Sequence, residues 1–166
     1  MRKEQKANYP ESARGAAALL VRMVLEDGAY TNIALNQYLR GSRLSDLDRR
    51  LATELVYGTV KASGTLDWYL AQCVSRPLDK VAGDILAILR ISTYQLLYMT
   101  RIPASAAVNE AVKLARSVSH EGSAKFVNGV LRGLLRKQEA GAFVLPDAEK
   151  QNADYLSLKY YHPRWL

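Results

Sequence analysis

Apolar residues recur along this chain at intervals of three and four, and nowhere for more than a few residues in the strict alternation of a half-buried strand. That pattern predicts an all-α protein. A first helix is expected from about Ser12 to Asp27, with Ala13, Ala16, Ala17, Leu20, Met23 and Val24 on its core face, Arg14, Ala18 and Arg22 on the other, and Gly28 as its stop. A short second helix runs from Thr31 to Leu39 and ends at Gly41. Ser45 or Asp46 is placed to cap a third, which buries Leu47, Leu51, Leu55 and Val56 and is weakened toward its end by Gly58 and Gly64. Thr65 opens a fourth that reaches about Val74, and Ser75-Arg76-Pro77-Leu78-Asp79 is turn chemistry.

The next segment, about Ala82 to Met99, differs from the others. Leu86, Leu89, Leu96 and Leu97 fall on one face and Ala87, Ile91, Tyr94 and Tyr98 on the opposite one, and a helix that is apolar all round is buried from both sides. It is expected to be a central helix between two sub-bundles. Pro103 marks the first turn of an Ala-rich helix over Ala104 to Val118. After the loop Ser119-His120-Glu121-Gly122, Ser123 is positioned to cap a last helix with Phe126, Val127, Val130, Leu131 and Leu134 inward and Lys125, Asn128, Arg132 and Arg136 outward. Gly141 and Pro146 then suggest a linker, so residues 1–140 form the helical domain and 141–166 a linking segment. Pro163 suits the start of another helix, yet only three residues follow, which points to the front end of something longer.

Composition narrows the chemistry. The chain has 166 residues, 49% of them hydrophobic, enough for one domain with a sizeable core. Its longest apolar-dominated run, Ile85 to Met99, contains Arg90 and Gln95 and falls short of the roughly 20 apolar residues that a bilayer requires, so no membrane span is expected. The basic N-terminus leads to Tyr9-Pro10-Glu11 rather than to an apolar signal core, which makes the cytoplasm the default location. A single cysteine, Cys73, excludes an intrachain disulfide, and with only His120 and His162 besides, a metal site has almost no ligands and a Cys/His or Ser/His nucleophile pair is disfavoured. No Gly-x-Gly-x-x-Gly or Walker loop is present, so a nucleotide-dependent or class I methyltransferase domain is not expected within the chain. No catalytic, cofactor or metal residues are assigned. Binding is favoured over self-contained catalysis.

The binding candidates come from charge. The chain carries 23 Lys or Arg against 16 Asp or Glu, a formal +7. Residues 90–137 hold eight Lys or Arg against only Glu110 and Glu121, almost the whole excess. A basic strip of that kind neutralises phosphates and releases counterions. Lys3, Lys6, Arg14 and Arg22 form a second cluster, and Arg40, Arg43, Arg49 and Arg50 a third, although Asp46 and Asp48 are expected to pair with much of it. Arg14, Arg22, Lys125, Arg132 and Arg136 are the candidate nucleic-acid contacts, chosen on charge.

Several other residues have a structural reading that outweighs a functional one. Gly129 costs roughly 1 kcal/mol relative to Ala in a helix interior, an expense explained if a neighbouring helix approaches closely there while the Asn128 amide bonds the backbone of an adjoining loop. Glu54 and Asp67 are expected as caps or pair partners and Cys73 as a small core residue. Tyr160, Tyr161 and Trp165 beside Lys159 and Arg164 are expected to pack on the bundle, with a stacking platform for bases as the alternative.

Three stretches then resemble a known family. Glu54-Leu55-Val56-Tyr57-Gly58, Ile102-Pro103-Ala104-Ser105-Ala106-Ala107-Val108-Asn109-Glu110-Ala111-Val112 and Phe126-Val127-Asn128-Gly129-Val130-Leu131 are similar to the NusB family of helical RNA-binding domains, over about residues 10–138. Thr65-Leu66-Asp67-Trp68-Tyr69-Leu70 and Leu89-Arg90-Ile91-Ser92-Thr93-Tyr94-Gln95-Leu96-Leu97-Tyr98 are closer to the NusB-like N-terminal domain of RsmB (Sun, Fmu) ribosomal RNA methyltransferases. The closing His162-Pro163-Arg164-Trp165-Leu166 resembles the stretch leading into their methyltransferase part. The resemblance implies two small helical bundles sharing a central helix. It also implies a parent enzyme that uses S-adenosylmethionine to methylate cytosine C5 of small-subunit (16S) ribosomal RNA, with this domain positioning the RNA for a methyltransferase domain in cis. The family's catalytic cysteines and cofactor loop have no matching positions here. The alternatives are a free-standing transcription antitermination factor that pairs with a ribosomal protein, and a protein-docking module.

Overall fold

Ser12 begins the first helix because its side chain accepts a hydrogen bond from the Gly15 N–H at 3.0 Å, satisfying one of the donors that a helix start leaves open. In the computed structural model, which describes residues 8–143, the regular structure is helical and no strand occurs among the described residues. Seven α-helices follow in order: α1 (Ala13–Asp27), α2 (Thr31–Gly41), α3 (Asp46–Lys61), α4 (Ser63–Ala71), α5 (Gly83–Tyr98), α6 (Ala104–Val118) and α7 (Glu121–Glu139), with one 3-10 turn at Leu78–Lys80. Gly28, at φ 72°, closes α1 in the left-handed conformation that glycine adopts without a Cβ penalty.

The all-round apolar segment becomes the shared element. Helix α5 packs against α1, α3, α4, α6 and α7. Ile85, Leu86, Ala87, Ile88, Leu89, Ile91, Tyr94 and Leu97 are all buried on it, so there is no solvent face for most of its length. Helices α1, α2 and α3 cluster on one side, and α6 and α7 pack chiefly on each other and on α5. The two-bundle architecture expected from the central helix is therefore present.

Most polar groups on α5 are compensated, the exception being the buried Thr93 hydroxyl, which has no hydrogen-bond partner among the described residues. Arg90 makes two hydrogen bonds to the Asp67 carboxylate, at 2.8 and 2.9 Å, and Gln95 accepts from Arg14 Nε at 2.9 Å while donating to the Ile91 carbonyl. Asp84 takes hydrogen bonds from Arg22 and from the Tyr9 hydroxyl. Burying such groups without partners would cost several kcal/mol.

Four local expectations need correction or refinement. Ala18 is fully buried instead of facing outward, because α1 is enclosed by α2, α3 and α5 and its small residues let these approach. Leu47 is 74% exposed: it sits in the first turn of α3, beyond the reach of the core. Gly58, expected only as a weak point near the end of α3, has a packing reason: the buried Tyr94 ring, stacked on Tyr98, occupies the space where a Gly58 Cβ would stand, and the helix continues to Lys61. His120, not Ser123, caps α7, its ring nitrogen accepting from the Ser123 N–H. Ser45 is confirmed as the cap of α3.

Candidate nucleic-acid interface

Charge along the sequence is not charge in space, and ion pairing redistributes the excess seen at residues 90–137. Arg90 is paired with Asp67 and Arg101 with Glu54, both carboxylates lying outside the segment. Within it Lys113 pairs with Glu110 and Arg116 with Glu121, while Lys137 donates to the Gln72 carbonyl. The Arg116 hydrogen bond holds the Glu121 carboxyl below its ordinary pKa, so both groups stay charged and mutually engaged. Glu54 and Asp67 are thus pair partners, as the sequence reading expected.

What is left is a stripe on α7. Lys125, Arg132 and Arg136 are exposed, and at spacings of seven and four they lie on one side of the helix. None has a carboxylate partner in an ion pair among the described residues; Arg132 donates through Nε to Asn128 Oδ1 at 2.8 Å. The opposite side of α7 places Ala124, Val127, Val130, Leu131 and Leu134 in the core, which fixes the rotation of the helix and hence the outward direction of the cations.

The other two candidates are held elsewhere. Arg14 is bonded to Gln95, and Arg22 bridges Glu26 and Asp84. Both are half-buried and serve as ties between α1 and α5. The structure therefore brings Lys125, Arg132 and Arg136 together and does not bring Arg14 or Arg22 to them. Sequence reasoning could have anticipated part of this, since an arginine inside an all-apolar helix, such as Arg90, requires a carboxylate partner.

The middle of the α7 stripe is bare. Gly129 is exposed, and nothing lies within 4 Å of where its Cβ would be, so no neighbouring helix approaches there. Asn128 bonds Arg132, not the backbone of a loop. Both structural explanations expected for this pair are thus replaced by a surface one: an open strip of backbone between Lys125 and Arg132, with the Asn128 amide fixing the guanidinium.

Among the described residues no group of three or more His, Cys, Asp or Glu could hold a metal ion. Cys73 is half-buried, and burial raises its thiol pKa, which keeps it protonated. The described residues offer no strand-to-helix glycine loop for S-adenosylmethionine: their regular structure is helical, and their positive-φ glycines, Gly28 and Gly141, follow the ends of α1 and α7. The tail aromatics Tyr160, Tyr161 and Trp165, and the linker at Pro146, lie outside the described residues. No helix among the described residues is long and apolar enough to cross a membrane.

Known proteins resemble this chain in sequence and fold. Relatives include a protein of Synechocystis sp. named probable ribosomal RNA small subunit methyltransferase B, 41% identical over 93% of this chain, and one of the same name from Bacillus subtilis, 37% identical over 93%. The chain spans 34% of the length of each, about a third. Among solved structures, the chain resembles one from a crystal structure of a plectonemic RNA supercoil, with a TM-score of 0.72 at 19% identity over 80% of this chain and 97% of that one. Another is from the antitermination factors NusB and NusE in complex with dsRNA, with a TM-score of 0.69 at 21% identity over 77% and 96%. At these identities the structural likeness concerns the fold. The NusB family model matches residues 11–136, which span α1 through most of α7, and the chain belongs to the NusB family.

Proposed function

We propose that this chain is the RNA-binding accessory domain of an S-adenosylmethionine-dependent methyltransferase acting on cytosine C5 of small-subunit (16S) ribosomal RNA, and that it helps to position the RNA for a catalytic domain in cis. The observation that carries the reading is the α7 stripe: Lys125, Arg132 and Arg136 exposed on one face, none in an ion pair among the described residues, around a helical glycine that packing does not require. The names of the relatives supply the class of RNA and the reaction of the parent. Methyl transfer, its cofactor and its cysteines are assigned to the part of the parent that these helices do not represent.

In this reading Lys125, Arg132 and Arg136 contact phosphates. Arg14 and Arg22 contribute indirectly, by fixing α1 on α5. Phosphate contacts position an RNA without reading its sequence, so the domain supplies affinity and orientation, and base choice falls to the catalytic part. Titrating ribosomal RNA fragments against the chain at increasing salt is the direct test. Three phosphate contacts predict a log–log slope of about −2 to −3. Binding that ignores salt, or no binding at all, would remove the proposal.

Gly129 gives a second test in which stability and function move in opposite directions. Gly129→Ala is expected to stabilise the fold by roughly 0.5–1 kcal/mol, the usual gain of Ala over Gly in a helix interior. The added methyl would stand on the open strip between the cations and hold an RNA backbone away from it, so affinity should fall. Denaturant unfolding and RNA anisotropy on the same variant read both effects. A variant that is more stable and binds equally well would show that the bare strip has no role.

A further inference from the structure

The third basic cluster is not neutralised as the sequence suggested. Asp46 and Asp48 stand in the first turn of α3, and neither takes part in an ion pair among the described residues. Arg49 instead donates through Nη1 to the Leu39 carbonyl at 2.8 Å, a contact that orients the guanidinium and leaves its charge uncompensated. Arg50 and Lys61 are exposed, with no hydrogen bond or ion pair to any described residue. Arg49 and Arg50 line a groove of about 460 Å³ together with Leu39, Thr53, Glu54 and Tyr57, a size within the range of ligand clefts.

Two features give the groove a chemical preference. Tyr57 is 45% exposed, a large ring left on the surface of α3 between Arg50 and Lys61, to which it is related by helical spacings of seven and four. The one carboxylate in the lining, Glu54, is already engaged by Arg101 at 2.7 Å, so it offers little repulsion to an incoming anion. Thr53 spends its hydroxyl proton on the Arg49 carbonyl, and the lining then presents cations, an aromatic face and aliphatic surface. That combination suits a nucleotide of an unpaired strand, with phosphate on the arginine and base on the ring.

We infer that the α2–α3 groove is a second RNA-contact site, separate from the α7 stripe, which takes one unpaired nucleotide with its base stacked on Tyr57 and its phosphate on Arg50. The inference rests on the RNA-binding reading above and adds a single-strand preference that the α7 stripe cannot supply. The groove belongs to the bundle of α1, α2 and α3, and the stripe to the bundle of α6 and α7, with α5 between them. An RNA that touches both would span the domain.

The test uses the 166-residue chain, a labelled single-stranded RNA of roughly ten nucleotides, within the site sizes of single-strand binders, and a blunt RNA duplex as the comparison. Tyr57→Ala should weaken binding of the single strand roughly tenfold, the effect of one lost base–aromatic stack, and leave the duplex unaffected. Tyr57→Phe should bind like the unaltered chain, since the ring face is what matters. Arg50→Gln should lower the single-strand salt slope by about 0.7, one phosphate contact. If Tyr57→Ala and Arg50→Gln both keep single-strand affinity while Arg132→Glu loses it, the groove inference fails alone and the cleft is left to an acidic protein segment. If the unaltered chain binds neither RNA, the functional reading fails and this inference with it.

Discussion

Leu89→Ala is expected to remove about 2–5 kcal/mol of folding stability, the cost of a buried leucine whose cavity the surroundings cannot close. Leu89 is fully buried in the middle of α5. Helices of both bundles pack on α5, so collapse of one toward the vacancy would pull it away from the other. Leu96, half-buried on the same helix, provides the comparison: Leu96→Ala should cost clearly less, because its site is partly open to water. Since a domain of this size has only about 5–15 kcal/mol in total, the Leu89 variant should unfold at a much lower denaturant midpoint with an unchanged slope. Equal costs for the two variants would show that α5 is not the shared support. Two separate transitions would show that the bundles do not unfold as one unit.

The second large effect concerns RNA. Reversing both charges in Arg132→Glu/Arg136→Glu should lower affinity for ribosomal RNA by at least about tenfold at low salt and flatten the log–log salt slope by about 1.4–1.8, two phosphate contacts' worth. The physical reason is the isolation of these cations: neither faces a carboxylate partner in an ion pair among the described residues, so their charge is available to a ligand. Both side chains are exposed, and surface changes of this kind usually shift stability by no more than about 0.5 kcal/mol, so lost binding would not reflect a lost fold. The parallel variant Arg116→Glu serves as a control, because Arg116 is already committed to Glu121. Unchanged RNA affinity in the double variant, with docking of a protein partner abolished, would replace RNA binding by the docking alternative.

Much of the fold was legible without coordinates. Helix α6 has the bounds Ala104–Val118 that its Ala-rich periodicity indicated, and α5 is buried over most of its surface, as apolar residues around its circumference required. Local rules suffice for such elements because capping, helical period and glycine stops act within a turn or two. The errors cluster where a residue's environment comes from a distant part of the chain. Ala18 looked outward by its angle on α1 but lies under other helices, and Leu47 looked inward by its type but lies past the edge of the core. Gly58 reads in sequence as a weak point of the third helix, and its packing against Tyr94 depends on a residue 36 positions later.

The candidate interface divides in the same way. The outward set Lys125, Asn128, Arg132 and Arg136 follows from the inward set Val127, Val130, Leu131 and Leu134, because one helix can bury only one stripe. The sequence by itself determined the helices, the central position of α5, the family resemblance and the side of α7 that meets solvent, all set by spacing along the chain. Tertiary structure alone decided which cations remain available. Arg14, Arg22, Arg90 and Arg101 are tied to partners 81, 62, 23 and 47 residues away, while Arg49 and Arg50 were left without the carboxylates next to them in sequence. Electrostatic pairing depends on distances of a few ångströms in space, and sequence spacing sets those only within a single helix.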